Sequence, residues 1–263
     1  MSPAPNQPFK LTPCAAALLL ALSASAQAQP TELETVTVSA TRSGAVAGES
    51  AQKITVISRE EIERQLALSS DPSDVLGNLI PSYTPGRQKL SSAGETFRGR
   101  NPLFMIDGVP QSNPLRDGKR EAYTIDLSMV ERIEVIHGAS AEQGLGATGG
   151  IINFVTRRAK AGAIHQHAGV SMTSPTDGGS EGLGHRVDYH IDGTHGNWDY
   201  LVGISRQARG LYYDAQGTPI GVDNTQGDTM DSKSQDVLVK IGGGVKYEAQ
   251  HGLTRRETPR GVS

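Results

Sequence analysis

Cysteine is all but missing: Cys14 is the only one in 263 residues. No internal disulfide can form, so stability must come from packing and hydrogen bonds. Aromatics are scarce as well, with one Trp, four Phe and seven Tyr, whereas Gly numbers 31. That balance is unlike a compact helical enzyme. A formal net charge of −3 leaves no electrostatic footprint for nucleic acid, and Arg255-Arg256 reads as solvated. Beyond residue 28 there is no run of about twenty apolar residues, so no transmembrane helix is expected and any membrane role must come through strands. No Ser/His/Asp order, paired-carboxylate site or metal-ligand spacing emerges, so the chain is not expected to be an enzyme or to carry a cofactor or metal. His165 and His167 share a strand face, with His185, His190 and His195 following. They read as a polar interior face rather than as metal or haem ligands.

What is present begins with an export signal. Lys10, the short apolar stretch Ala15 to Leu22 and Ala24-Ser-Ala-Gln-Ala28 form charged, apolar and A-x-A segments in order. Residues 1–28 are expected to be removed, with cleavage near Ala26 or Ala28. Eight apolar residues are too few to span a bilayer. Cys14 precedes the apolar stretch, so a lipid anchor is not expected.

Glu34, Thr35, Val36, Thr37 and Val38 then alternate with period two, flanked by small residues from Gly44 to Ser50. On pattern alone this is either an ordinary first strand or an extended segment able to add to another protein's sheet edge. Lys53 to Ile57 reads as a strand, and Ser58-Arg-Glu-Glu61 as a capping box opening a helix through Leu66. Asp71-Pro72 starts a second helix that buries Val75, Leu76 and Leu79 and ends before Pro81. Further strands are expected at Thr96 to Arg100, Leu103 to Ile106 and Val130 to Ile136, with a turn at Asp107-Gly108-Val109-Pro110.

Gly144-Leu-Gly146-Ala-Thr-Gly149 matches the G-x-G-x-x-G pattern of dinucleotide loops. Such a loop must open a helix, yet Gly150-Ile-Ile-Asn-Phe-Val-Thr156 is β-branched and aromatic and reads as a strand. No acidic residue follows at the distance a ribose requires. The glycines therefore read as a tight turn.

Phe97-Arg-Gly99, Phe104-Met-Ile-Asp-Gly-Val-Pro110, Val130-Glu-Arg-Ile-Glu-Val135 and Gly149-Gly-Ile-Ile-Asn153 resemble, in order and spacing, the plug landmarks of TonB-dependent outer-membrane receptors. Glu34 to Val38 resembles a TonB box at the place where that family carries one. One departure is His137-Gly138-Ala139, where many relatives have Arg-Gly-Pro. The resemblance implies a TonB box and linker over 29–49 and an α+β plug domain over 50–158, followed by a transmembrane antiparallel barrel. TonB and the outer membrane are the implied partners, and a ferric siderophore the implied cargo. Outward plug loops that meet cargo would carry Tyr83, Arg87, Gln88 and Arg116, the arginines pairing with an anionic ligand.

From Ala163 the pattern changes. Val187, Tyr189 and Ile191 alternate with polar residues; a turn follows at His195-Gly-Asn197, and Trp198, Tyr200, Val202 and Ile204 alternate beyond it. With weaker alternation over Ile164 to Met172 and Val237 to Tyr247, about four barrel strands are expected across 159–250. Alternation alone also fits a soluble antiparallel sheet. Closing a barrel of the implied kind takes about twenty-two strands. Four would leave two unpaired edges, costing several kcal/mol per group in hydrocarbon, so this chain by itself is not expected to insert or transport. Residues 251–263 read as a polar tail without the amphipathic pattern of a strand. The alternative is a soluble periplasmic module that binds TonB and forms no channel.

Overall fold

The computed structural model describes residues 53–257 apart from 87, 89, 91–93, 112–119, 140–145, 163, 176–179, 221–229 and 244–248; for 249–257 it describes the backbone only. All of them fall in one compact unit, Val36–Ser263. The expected signal segment, TonB box and linker lie outside the described residues, as do Arg87, Arg116 and positions 258–263.

The first half builds an α+β layer. Strand β1 (Ile54–Ile57) leads into helix α1 (Arg59–Leu66), where Ser58 Oγ accepts from Glu61 N at 3.3 Å and Glu61 accepts from Ser58 N at 2.8 Å. The capping box expected from the sequence is therefore formed. Replacing Ser58 with alanine should lower stability by about 1 kcal/mol, measured by urea unfolding, because Glu61 N loses its side-chain acceptor. Helix α2 (Pro72–Leu79) starts on Asp71, whose carboxylate accepts from Ser73 N at 2.8 Å. Val75 and Leu76 are fully buried, whereas Leu79 is only half-buried.

A two-residue ladder pairs β2 (Tyr83–Thr84) with β3 (Thr96–Phe97). The expected strand over Thr96 to Arg100 stops at Phe97 because Arg98 and Gly99 adopt φ of 56° and 72°, turning the chain back on itself. Strands β4 (Pro102–Ile106), β5 (Val109–Pro110), β6 (Val130–His137) and β7 (Gly150–Thr156) complete a sheet of order β1-β6-β7-β4-β5, parallel only between β4 and β7. All seven residues of β7 are buried, as its unbroken apolar run requires of a central strand. On one face Ile62, Leu66, Val75 and Leu76 from the helices pack on Phe104, Ile133, Val135, Ile152 and Phe154. On the other, Leu103, Met105, Ile136 and Ile151 form a smaller cluster.

The polar residues of the sequence landmarks meet inside this sheet. Asn153 Nδ2 donates to Glu134 Oε2 at 2.9 Å, and Asn153 Oδ1 accepts from Gly108 N at 2.9 Å. Asp107, at φ 47°, accepts from Thr156 N at 2.8 Å. The landmarks thus fix a turn against the central strand, with Asn153 bridging two of them and Thr156, further along β7, holding Asp107.

The second half is one antiparallel sheet of order β12-β11-β10-β9-β8. Its strands are β8 (His165–Thr173), β9 (Gly184–His195), β10 (Trp198–Arg209), β11 (Ser232–Gly243) and β12 (Ala249–Glu257). Four of them are the expected ones. The fifth, β12, pairs with β11 from Lys233↔Glu257 to Ile241↔Ala249 and runs into residues read as a polar tail. A backbone ladder does not depend on side-chain alternation, which is why periodicity missed it. Among the described residues the sheet does not close.

Candidate functional site

Burial in this wall is inverted relative to a water-soluble sheet. Along β9 the inward Arg186, Asp188, His190 and Asp192 are buried, while Val187 is 49% exposed on the outer side. On β10 and β11, Ser205, Gln207, Ser234, Asp236 and Lys240 are buried; Ile204 and Ile241 are exposed at 52% and 49%. The register places Val187, Tyr189 and Ile191 beside Arg206, Ile204 and Val202, and then Val237 and Val239, in one outward apolar field with a charged stem at its margin. A soluble sheet buries its apolar face; this one offers that face outward and keeps its charges inside.

The inward charges are matched by the α+β layer. Asp126 is buried and accepts from Arg186 Nη1 at 3.2 Å, Ser205 Oγ at 2.7 Å and Ser128 N at 2.7 Å. Burial pushes its carboxyl up, but Arg186, Ser205 and Ser128 more than reverse this and hold it below the usual carboxylate range. Arg157, which leaves the end of β7, donates to Ser128 O at 2.8 Å, lies 3.2 Å from His190 Nε2 and pairs with Glu63 at 3.4 Å. Lys240 reaches Asp107 at 3.5 Å, and Lys160 N donates to Asp192 at 2.9 Å. The layer thus occupies the inward, charged side of the wall as a polar-sheathed stopper.

Loops line a half-open cavity of about 640 Å³. Gln88 from the first half lines it with Thr173 at the end of β8 and with Ser174, Tyr212, Tyr213 and Asp214 from the loops after β8 and β10. Of the two singled-out residues that are described, Gln88 is placed here, exposed and at φ 57°. Tyr83 is instead inside the fold, 6% exposed, donating to Glu95 Oε2 at 2.7 Å. Burial and then Glu95 raise its hydroxyl, keeping it a protonated donor. An aromatic ring beside a two-residue ladder packs inward more readily than it faces solvent, which the loop position alone did not reveal. Tyr212 and Tyr213 were missed; the only sequence signal was an aromatic pair in a polar loop. Among the described residues there is no group of three or more His, Cys, Asp or Glu side chains placed to hold a metal.

These features define a class: a plug seated against an inside-out β-wall. Residues 46–151 match the family described as TonB-dependent Receptor Plug Domain, and this part of the chain belongs to it. It is 32% identical over 207 residues to the rhizobactin receptor of Rhizobium meliloti, covering 78% of this chain and 28% of that protein. To the ferric aerobactin receptor of Klebsiella pneumoniae it is 33% identical over 206 residues, covering 76% and 27%. The chain therefore spans little more than a quarter of these relatives' lengths. Two solved structures share the fold at TM-score 0.56. One is the ferric enterobactin receptor PfeA of Pseudomonas aeruginosa (21% identity; 79% of this chain, 33% of that one). The other is the siderophore receptor PirA of Acinetobacter baumannii (19%; 73% and 29%).

Proposed function

We propose that this chain is part of a TonB-dependent outer-membrane transporter that takes in a ferric siderophore. The carrying observation is the inverted wall: an apolar field outside and matched charges inside suit hydrocarbon on one side and a plugged lumen on the other. The same inversion argues against a soluble periplasmic module, which would expose that field to water. Residues 1–28 serve as the export signal, 29–49 as the TonB box and linker, 50–158 as the plug and 159–250 as wall strands, the wall extending through β12. Glu34 to Val38 add as a strand to TonB, which supplies energy from the inner membrane. Gln88 contacts cargo at the cavity and Tyr83 holds the base of its loop; Arg87 and Arg116 are carried as further cargo contacts from the sequence alone.

The named relatives make ferric aerobactin and ferric rhizobactin the cargoes to try first. Deleting the gene that encodes this chain should abolish growth of its host on one of them as sole iron source; undiminished growth on both, with equal iron uptake, would refute the reading. Val36→Pro removes a ladder donor and fixes φ, so uptake of labelled iron should fall at least about tenfold while surface binding persists. Loss of binding along with uptake would show that this segment is not an energy-coupling strand.

A further inference from the structure

We propose that helix α2 is the seat of the cavity loop carrying Gln88, with Ser73 as its positioning residue. Ser73 is 3% exposed, and its hydroxyl accepts from Gly86 N at 2.6 Å, two residues before Gln88. One helical turn further on, an added Cβ at Gly77 would meet the Pro85 ring at 3.3 Å, so the loop lies directly on the helix flank. The seat is itself clamped from below. Asp71 Oδ1 accepts from both Ser73 N at 2.8 Å and Tyr123 Oη at 3.1 Å, and the Arg209 guanidinium stands 5.6 Å from the Tyr123 ring centroid. Arg209 closes β10, immediately before the loop that brings Tyr212 and Tyr213 to the same cavity. A continuous path with a buried centre therefore joins both sides of the cavity through Asp71: Gly86 to Ser73 on the plug side, Tyr123 to Arg209 on the wall side. Helix α2 sets the spacing of the two walls that cargo must bridge.

The consequence for cargo recognition rests on reading the cavity as the ligand site; the seating does not. The seating is tested without cargo, in the full chain with Cys14→Ser. Spin labels at Ala67→Cys and Gln88→Cys report the loop against α1, and labels at Ala67→Cys and Glu131→Cys report the plug body. In the parent both pairs should give one narrow distance distribution. Ser73→Ala should broaden the first pair alone, and Gly77→Val should shift its mean by displacing Pro85. Ser73→Thr, which keeps the hydroxyl, should restore the narrow distribution. An unchanged first pair in both variants overturns the proposal, and so does equal broadening of both pairs, which would signify general loosening. Where the parent binds ferric aerobactin, Ser73→Ala should weaken binding about tenfold, the scale of one lost hydrogen bond, and Gln88→Ala on that background should add nothing. Additive losses would show that Ser73 does not act through Gln88. A parent that binds no ferric siderophore defeats the cargo reading and leaves the distance result standing.

Discussion

Gly150→Ala should prevent the plug from folding, seen as loss of the cooperative urea transition and rapid proteolysis. Gly150 has φ 134°, and a Cβ there would stand 2.5 Å from Ile136 O and 2.8 Å from the Phe97 ring. The backbone penalty is about 1–3 kcal/mol. Displacing a carbonyl of the neighbouring strand and a fully buried ring adds a comparable overpacking cost, about 1–3 kcal/mol. Together, at about 2–6 kcal/mol, these reach the lower end of a domain's stability, which is about 5–15 kcal/mol and is smallest for a small domain. Gly138 separates the two causes, since it also has a positive φ, 97°, but nothing within 4 Å of its Cβ position. Gly138→Ala should therefore cost only the backbone part and leave a folded plug. Equal damage from both substitutions would mean that strain, not the close approach at Gly150, is decisive.

Asp126→Ala should destabilise the plug–wall contact by about 3 kcal/mol, the low end for a broken buried ion pair. The low end applies because Asp188 stays 3.5 Å from Arg186 after the change. Asp126→Asn keeps an acceptor and should lose less. The pH dependence gives a second signature. The Asp126 carboxyl lies below its ordinary 3.8 in the folded state, because its partners outweigh the burial that alone would raise it. A depressed carboxylate contributes fully above its unfolded value and loses that contribution as pH falls through the lower folded one. Unfolding midpoints of the parent should therefore drop more steeply below 3.8 than those of Asp126→Ala. Parallel acid limbs would show that Asp126 and Arg186 do not form the pair described.

The residues that were legible in the sequence share a physical trait: their conformation is set by close neighbours. Ser58 and Glu61 cap α1, Asp71 and Pro72 open α2, and the unbroken apolar run of β7 can sit only at a sheet centre. The strict alternation along β9 and β10 placed a hairpin with its turn at Gly196. What was not legible depends on distant partners. The β12 ladder is made by β11, and nothing in its own side chains announces it. Tyr83 is internal because Glu95, twelve positions away, receives its hydroxyl. Tyr212 and Tyr213 reach the cavity only through the path of a loop. Alternation also could not say which face of the wall was inside; that needed burial, and burial placed the charges inward.

This inward row of charges has a bearing on the order of events during assembly. Arg186, His190, Asp192 and Lys240 find their counterparts on segments synthesised before them: Asp126, Arg157, Lys160 and Asp107. A wall laid down with the stopper absent would be a trough holding water and counter-ions. A stopper already in place would give each new strand a set of fixed anchor points and so would act as a mould on which successive strands are registered.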